Sequence, residues 1–468
     1  MPLAARLLAL ALGCLALPTQ ADDLLSIYQD ALLNDQQWSA AQAEHQAGLE
    51  AEVQARAGLL PELSLQAQNA WNRTQYQLDN EAMTYRRQSQ TYSLQLVQPL
   101  FRWQSWVQYQ QGSQQTALAI SRYHEARQAL LLRVAEAYFA ILSAEASVDA
   151  LRQQHAADIQ QLASARKHFE LGNVSIADVH EAQASADAAL AASIKAGSQV
   201  ELARHLLARI IGRTPGPLQG LREGVSLAPP HPADIGAWLA AAQQDAYEVQ
   251  TQALRLAIAQ NEVRSRKAEH LPTLDLVASQ GVQQQPNIGA ARSDLTSVSL
   301  RLSLPLYEGG RPSSAVRQAQ ALSAQGEAQY EEAKRTVQLQ VREAWLGVLD
   351  GRAQVQALEA ARISARSALE ANRLGYRVGV RVSIDVLEAQ GRFTDIVQQL
   401  SRARYDTLQA QLRLKAAVGG LMESDLHEVN RLLGSPLARE HEGEASDAFA
   451  GKPAPTGYAL IQSITAAP

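Results

Sequence analysis

The stretch Tyr376–Gln390, YRVGVRVSIDVLEAQ, interrupts two long helical patterns with a glycine, four valines, two arginines and two carboxylates. A looser copy, FELGNVSIADVHEAQ, stands at Phe169–Gln183, 207 positions earlier (376 − 169). The same offset relates VAEAYFAIL at Val134 to VREAWLGVL at Val341, and Gly212 to Gly419. One spacing held over so much chain implies a duplicated unit, and internal repeats decide architecture before any local pattern does. Upstream the offset changes: LPELSL at Leu60 answers to LPTLDL at Leu271, 211 positions on (271 − 60). Residues were gained or lost between the two landmarks, where loops are expected.

Working outward from the glycine, the pattern around each copy is helical for most of its length. From about Ser105 to Leu171 and from Ser313 to Val378 nothing breaks the helix, and nearly seventy residues at 1.5 Å each span about 100 Å. Apolar residues at Leu131, Val134, Tyr138, Ile141 and Val148, and at Val341, Trp345, Val348 and Val355, fall at coiled-coil seam spacing. Glu145 and Arg352 interrupt the seam at matching places. Return helices are expected at about Ala177–Ile211 and Ile384–Val418, and a further helix from Ile27 to about Gly58.

Upstream of each long helix the period falls to two. Leu63, Leu65 and Ala67 alternate with polar residues, as do Tyr92, Leu94 and Leu96 before Pro99; Leu274, Leu276 and Ala278, then Val298, Leu300, Leu302 and Leu304, repeat the pattern. These are four strands in two hairpins, 61–99 and 272–305, with the polar stretches Asn72–Thr91 and Gly281–Asp294 expected as their loops. Four strands cannot close a barrel, and an open edge in lipid leaves N–H and C=O groups unpaired. The strands alone are equally compatible with a soluble sheet that has one wet face. Trp71, Tyr76, Tyr85, Tyr92, Phe101, Trp103 and Trp106 gather near the strand ends, as aromatic residues do at membrane interfaces.

The ends of the chain add a compartment. The first 21 residues carry one arginine, an apolar run from Leu7 to Leu17 and a small residue at Ala21 before Asp22 and Asp23, which reads as a secretory signal, residues 1–21. The one cysteine, Cys14, lies inside it and is a poor lipid acceptor, so the mature chain is expected to have no thiol chemistry. No later apolar run reaches the length of a membrane helix. At the other end, residues 434–468 are rich in Pro, Gly and Ala and read as a flexible tail, and the Glu440–Glu444 cluster in it has no metal-ligand spacing.

Composition narrows the function. A net charge of −5 over 468 residues, with no basic run, gives no reason to expect nucleic acid. Phosphate loops, paired cysteines and the HExxH and GxSxG signatures are missing, and the ten histidines are scattered. Nothing argues for an enzyme or a cofactor; a conduit fits better. A periplasmic coiled-coil scaffold would explain the helices and the signal but not four strands with apolar faces.

QPLFRW at Gln98, HLPTLDL at His270, LSLPLYEGG at Leu302 and the two tips at Gly172 and Gly379 together resemble the TolC family of outer membrane channels, over about Asp22 to Leu433. The resemblance implies an α+β membrane protein: a homotrimer whose twelve strands form one β-barrel, continued by a long α-helical coiled-coil barrel across the periplasm of a Gram-negative bacterium. Its units would be a first repeat, residues 22–219, with a helical hairpin 103–211, and a second, residues 220–433, with a helical hairpin 312–418. Gly212–Pro232 and the segment after Gly420 would form an equatorial belt. Partners would be an inner membrane ABC-type or proton-driven transporter, a periplasmic adaptor, and an exported protein or small molecule, with type I protein secretion favoured and multidrug efflux the alternative. At the entrance, Tyr376 and Arg381 would link to Asp178 and hold the gate shut, while Asp385 and Glu388 would form an acidic ring. Two departures stand out: Ala177 replaces a hydroxyl residue beside Asp178, and Glu388 replaces an aspartate. Asp178 and Asp385 are also placed to cap their return helices.

Overall fold

The computed structural model describes residues 21–78, 81–222, 224–285 and 291–434. The expected signal, apart from Ala21, and nearly all of the expected tail, including the Glu440–Glu444 cluster, lie outside them. The order of elements is α1 (Leu24–Asn34), α2 (Gln36–Ala57), β1 (Glu62–Leu78), β2 (Glu81–Phe101), α3 (Trp103–Glu170), α4 (Ile176–Ile211) and β3 (Gly220–Leu221). The second half runs α5 (Ile235–Asp245), α6 (Tyr247–Ala268), β4 (Thr273–Gln285), β5 (Ala291–Ser303), α7 (Arg311–Arg377), α8 (Ser383–Ala417), α9 (Glu423–Leu432) and β6 (Leu433–Gly434).

The duplication is carried into the fold helix by helix. Gln36 and Ala57 bound α2 as Tyr247 and Ala268 bound α6, 211 positions apart at both ends (247 − 36, 268 − 57). Ile176 and Ser383 open α4 and α8, 207 apart (383 − 176). The lost residues therefore fall in the second β-hairpin and its exit. The helix expected from Ile27 to Gly58 is two helices, because Asp35 is extended at ψ 119° and its carboxylate accepts the Trp38 N–H at 2.6 Å, starting a new helix.

The four long strands form one antiparallel sheet in the order β1-β2-β4-β5, so the two repeats meet between β2 and β4. Among the described residues, β1 and β5 each have a single neighbour. The strands are longer than their apolar alternation indicated. β1 runs to Leu78 and β2 starts at Glu81, so most of the expected Asn72–Thr91 loop is ladder, as is much of Gly281–Asp294. These outer stretches are polar on both faces, so alternation fades while backbone pairing continues. Side chains pair across it too, the Gln88 amide donating to Asn69 at 3.2 Å. Pro99 does not end β2 either; it sits at a register shift and the strand continues to Phe101.

α3 and α7, 68 and 67 residues long, pack against their return helices α4 and α8 as two antiparallel hairpins. All nine expected seam residues, from Leu131 to Val148 and from Val341 to Val355, are buried. The two seam interruptions have partners: Arg204 reaches the Glu145 carboxylate at 2.7 Å, and Arg352 Nε donates to the Leu227 carbonyl at 2.9 Å. That second bond ties the 212–232 linker to α7.

The main core lies midway along the hairpins. Leu24, Ile27 and Tyr28 of α1 pack on Leu130, Val134 and Tyr138 of α3, Leu207 and Ile211 of α4, Leu408 of α8 and Leu426 of α9. Two short strands close this belt, Leu221 pairing with Leu433. Asp22 ties the chain in: its carboxylate takes Arg213 at 2.8 Å and the Gly216 N–H at 2.8 Å. Burial pushes the Asp22 carboxyl upward, but these bonds outweigh it and hold it below the usual range.

Candidate functional site

Each helical hairpin reverses at a glycine in the left-handed region, Gly172 at φ 74° and Gly379 at φ 79°. A Cβ at either would meet nothing within 4 Å, so it is the backbone angle and not crowding that asks for glycine. The turns close alike: Asn173 N–H reaches the His168 carbonyl at 2.8 Å, and Val380 N–H the Gly375 carbonyl at 2.9 Å. Leu171, Ile176, Val378, Val380 and Val382 are left exposed around the two tips.

The return helices start differently. Ser175 caps α4 through a reciprocal arrangement in which its hydroxyl accepts the Asp178 N–H at 3.3 Å and Asp178 Oδ2 accepts the Ser175 N–H at 2.9 Å. In the second copy valine stands at the matching place, Val382, and only half of the arrangement is left: Val382 N–H to Asp385 Oδ2 at 3.4 Å. Both carboxylates thus lie near a helix N-terminus, where negative charge is favourable.

The structure distributes the expected latch and ring as follows. Arg381 Nη1 lies 3.6 Å from Asp385 Oδ2, and Arg392 Nη1 3.6 Å from Glu388 Oε2, each pair four residues apart and exposed but for the half-buried Asp385. Tyr376 packs its ring edge-on to His168 at 5.8 Å, and its hydroxyl is buried without a hydrogen-bond partner. Asp178 is engaged in its own cap. Within one chain, therefore, neither Tyr376 nor Arg381 is hydrogen-bonded to Asp178.

Near the tip stand polar contacts that the sequence pattern did not single out, and the first of them joins the two hairpins. Gln161 of α3 donates through Nε2 to Ser383 Oγ of α8 at 2.9 Å, and Ser383 is 1% exposed. Arg373 donates to the buried Gln390 at 2.7 Å, and Gln390 reaches Thr394 at 3.5 Å. Burial pushes the Asp158 carboxyl above its usual range, although Ser185 donates to it at 3.0 Å. A signal was present: 383, 387, 390 and 394 step by four, three and four, and all but Leu387 are polar. A coiled-coil seam filled with Ser, Gln and Thr gives weak cohesion and reads as a place where two helices part.

Two helical hairpins of about 100 Å, joined at one end to strands with unpaired outer edges and ending at the other in charged glycine turns, define the subunit of a channel-tunnel. The model of the family described as outer membrane efflux protein matches residues 27–213 and 238–420. The chain belongs to that family. It is 30% identical to the outer membrane protein TolC of Escherichia coli K12, over 97% of this chain and 93% of the relative. It is 32% identical to the alkaline protease secretion protein AprF of Pseudomonas aeruginosa, over 91% and 90%. Among solved structures, the Campylobacter jejuni CmeC outer membrane channel matches the fold with a TM-score of 0.75 at 15% identity, over 90% of this chain and 95% of the other. The chain is thus an outer membrane export channel whose sheet belongs to the membrane and whose helices extend into the periplasm.

Proposed function

We propose that three copies close the channel. The observation that carries this is the sheet: β1 and β5 have no neighbour on their outer sides among the described strands, and Leu63, Leu65, Leu295, Val298, Leu300 and Leu302 are exposed on it. An open edge of this kind is unstable in lipid, and pairing β1 of one chain with β5 of the next removes it. Twelve strands and the matching helices then make one barrel and one tunnel. Its part is transport, not catalysis.

In this reading the tips form the entrance. The exposed apolar residues around Gly172 and Gly379 receive the periplasmic adaptor, which connects the tunnel to an inner membrane transporter. Asp385 and Glu388 from three chains set six carboxylates around one passage and favour cations. Arg381 and Tyr376, whose hydroxyl lacks a bond within its own chain, supply the links that Asp178 receives in the assembly. Double substitution Asp385→Ala/Glu388→Ala is expected to abolish cation preference in planar bilayers, and unchanged selectivity would remove the ring assignment. Arg381→Ser/Tyr376→Phe is expected to raise single-channel conductance, and no rise would remove the latch.

The cargo favoured is protein, exported by a type I system. Relatives described as protease secretion proteins match along most of the chain, AprF at 32% and PrtF of Dickeya chrysanthemi at 28% identity. The second reading, drug efflux, is favoured by the Brucella suis outer membrane efflux protein BepC, which matches a smaller share, 60% of this chain. Deleting the gene separates them: loss of a secreted protein from the medium with unchanged drug tolerance supports the first, and the opposite pattern the second.

A further inference from the structure

The outward face of the first β-hairpin changes character along its length. In the register of β1 and β2, Leu63 is opposite Leu96 and Leu65 opposite Leu94; further along come Trp71 opposite Gln88 and then Arg73 opposite Arg86. Opposed residues point to the same side of a sheet and alternate along each strand, so all of these share the face that carries the exposed leucines. The hairpin joins its helices at the Glu62 and Phe101 ends, and the helices run into the periplasm, so the Leu78 and Glu81 ends point outside the cell. Ten positions separate Leu63 from Arg73 (73 − 63). They span about 33 Å along the strand, and at a barrel tilt of about 40° this is about 25 Å of height, the thickness of an outer membrane apolar band. The arginine pair therefore stands at the outer boundary of the bilayer, with Trp71, 72% exposed, just inside it.

Like charges directly opposite each other destabilise a ladder. Here both arginines are exposed, and neither has an ion pair among the described residues. No Asp or Glu occupies an outward position from Leu63 to Gln77 on β1 or from Ala82 to Gln98 on β2, so nothing on this face offsets them. The second hairpin is built the other way: Arg292, on the same face of β5, is paired with Asp294 3.1 Å away. We propose that Arg73 and Arg86 together hold a phosphate group of an outer-leaflet lipid headgroup. A phosphate set between two guanidinium forks replaces their repulsion with charge-assisted, bidentate contacts. Gln75 and Thr84, the next opposed pair outward on this face, add side-chain donors. The acyl chains of the same lipid lie along Trp71 and the leucines below it, so headgroup and tail contacts are continuous. The site needs the sheet to lie in the membrane, and it is independent of the number of copies and of the cargo.

The test uses the full chain purified in dodecyl maltoside and titrated with diphosphoryl lipid A, with zwitterionic phosphatidylethanolamine and with inorganic phosphate, bound molecules being counted by native mass spectrometry. Lipid A is expected to bind at least about tenfold tighter than phosphatidylethanolamine. Arg73→Gln/Arg86→Gln is expected to weaken it at least about tenfold, and Arg292→Gln, which removes the arginine already paired, to leave it within about twofold. Without lipid the double variant is expected to melt no lower than the parent, because it relieves a repulsion. Equal affinity for the two lipids, affinity unmoved by the double variant, or a lower melting temperature of that variant without lipid would overturn the proposal. So would displacement of lipid A by an equal concentration of inorganic phosphate, which would make this a site for free phosphate. The same spectra give the number of chains per particle, so a failed lipid site and a failed trimer are told apart.

Discussion

At Gly379 and Gly419 the same backbone angle has two different costs. Both have φ near 75–80°, but a Cβ at Gly379 would meet open space and one at Gly419 would lie 2.3 Å from the Asp245 carbonyl, where α8 ends against the start of α6. Gly379→Ala is expected to cost about 1 kcal/mol from backbone strain alone. Gly419→Ala is expected to cost several times that, because rigid backbone would have to move. Urea denaturation of the two variants compares them directly, and equal midpoints would contradict this. The belt gives a pH prediction. Arg213 and the Gly216 N–H lower the folded pKa of Asp22, so its stabilisation is present above the unfolded value and is lost as pH falls through the folded one. Asp22→Asn should melt lower than the parent at pH 7, with the gap closing below about pH 4. A gap constant down to pH 3 would point to packing and not charge. Both glycine turns were legible from composition and repeat alone. The partners of Asp22 were not, since they lie more than a hundred and ninety positions away in sequence.

At the scale of elements, the helical hairpins were the easiest part to read and the sheet the hardest. Helix length and return points followed from seam spacing and the paired glycines, because nothing in 68 residues of α3 competes with that period. The strands were under-read because their outer halves carry Gln, Asn, Arg, Ser and Thr on both faces, and a polar ladder looks like a loop. At the tips the structure adds local bonds that the sequence did not show. Within one chain the Ser175 cap engages Asp178, while Val382, which cannot cap, leaves the adjoining Ser383 hydroxyl to accept from Gln161. Ser383→Ala should therefore loosen the contact of α3 with α8 by about 1 kcal/mol, and Ser175→Ala should instead fray the first turn of α4 by a similar amount. Amide hydrogen exchange resolves the two, with faster exchange on both hairpins in the first variant and confined to residues after Ser175 in the second. Identical exchange maps would contradict the division of labour.

For the whole molecule, the duplication, the belt and the sheet edges point one way. Each chain brings two hairpins and four strands, a share of a barrel and not a barrel, and among the described strands its sheet is left with open edges at β1 and β5. A long helical tunnel needs a wall, a membrane anchor and an entrance, and the buried polar residues Ser383, Gln390 and Thr394 lie on the return helix that starts at the tip. The central claim is that β1 of one chain pairs with β5 of the next. Cysteine cross-linking tests it, since the sequence holds a single cysteine, Cys14, inside the expected signal. One cysteine is placed on β1 among Leu63, Leu65 and Gln66, and one on β5 among Val298, Leu300 and Leu302, in membranes from cells making the doubly substituted chain. Oxidation is expected to give a covalent ladder ending at three chains for the in-register combinations. Only monomers at every combination would contradict the barrel.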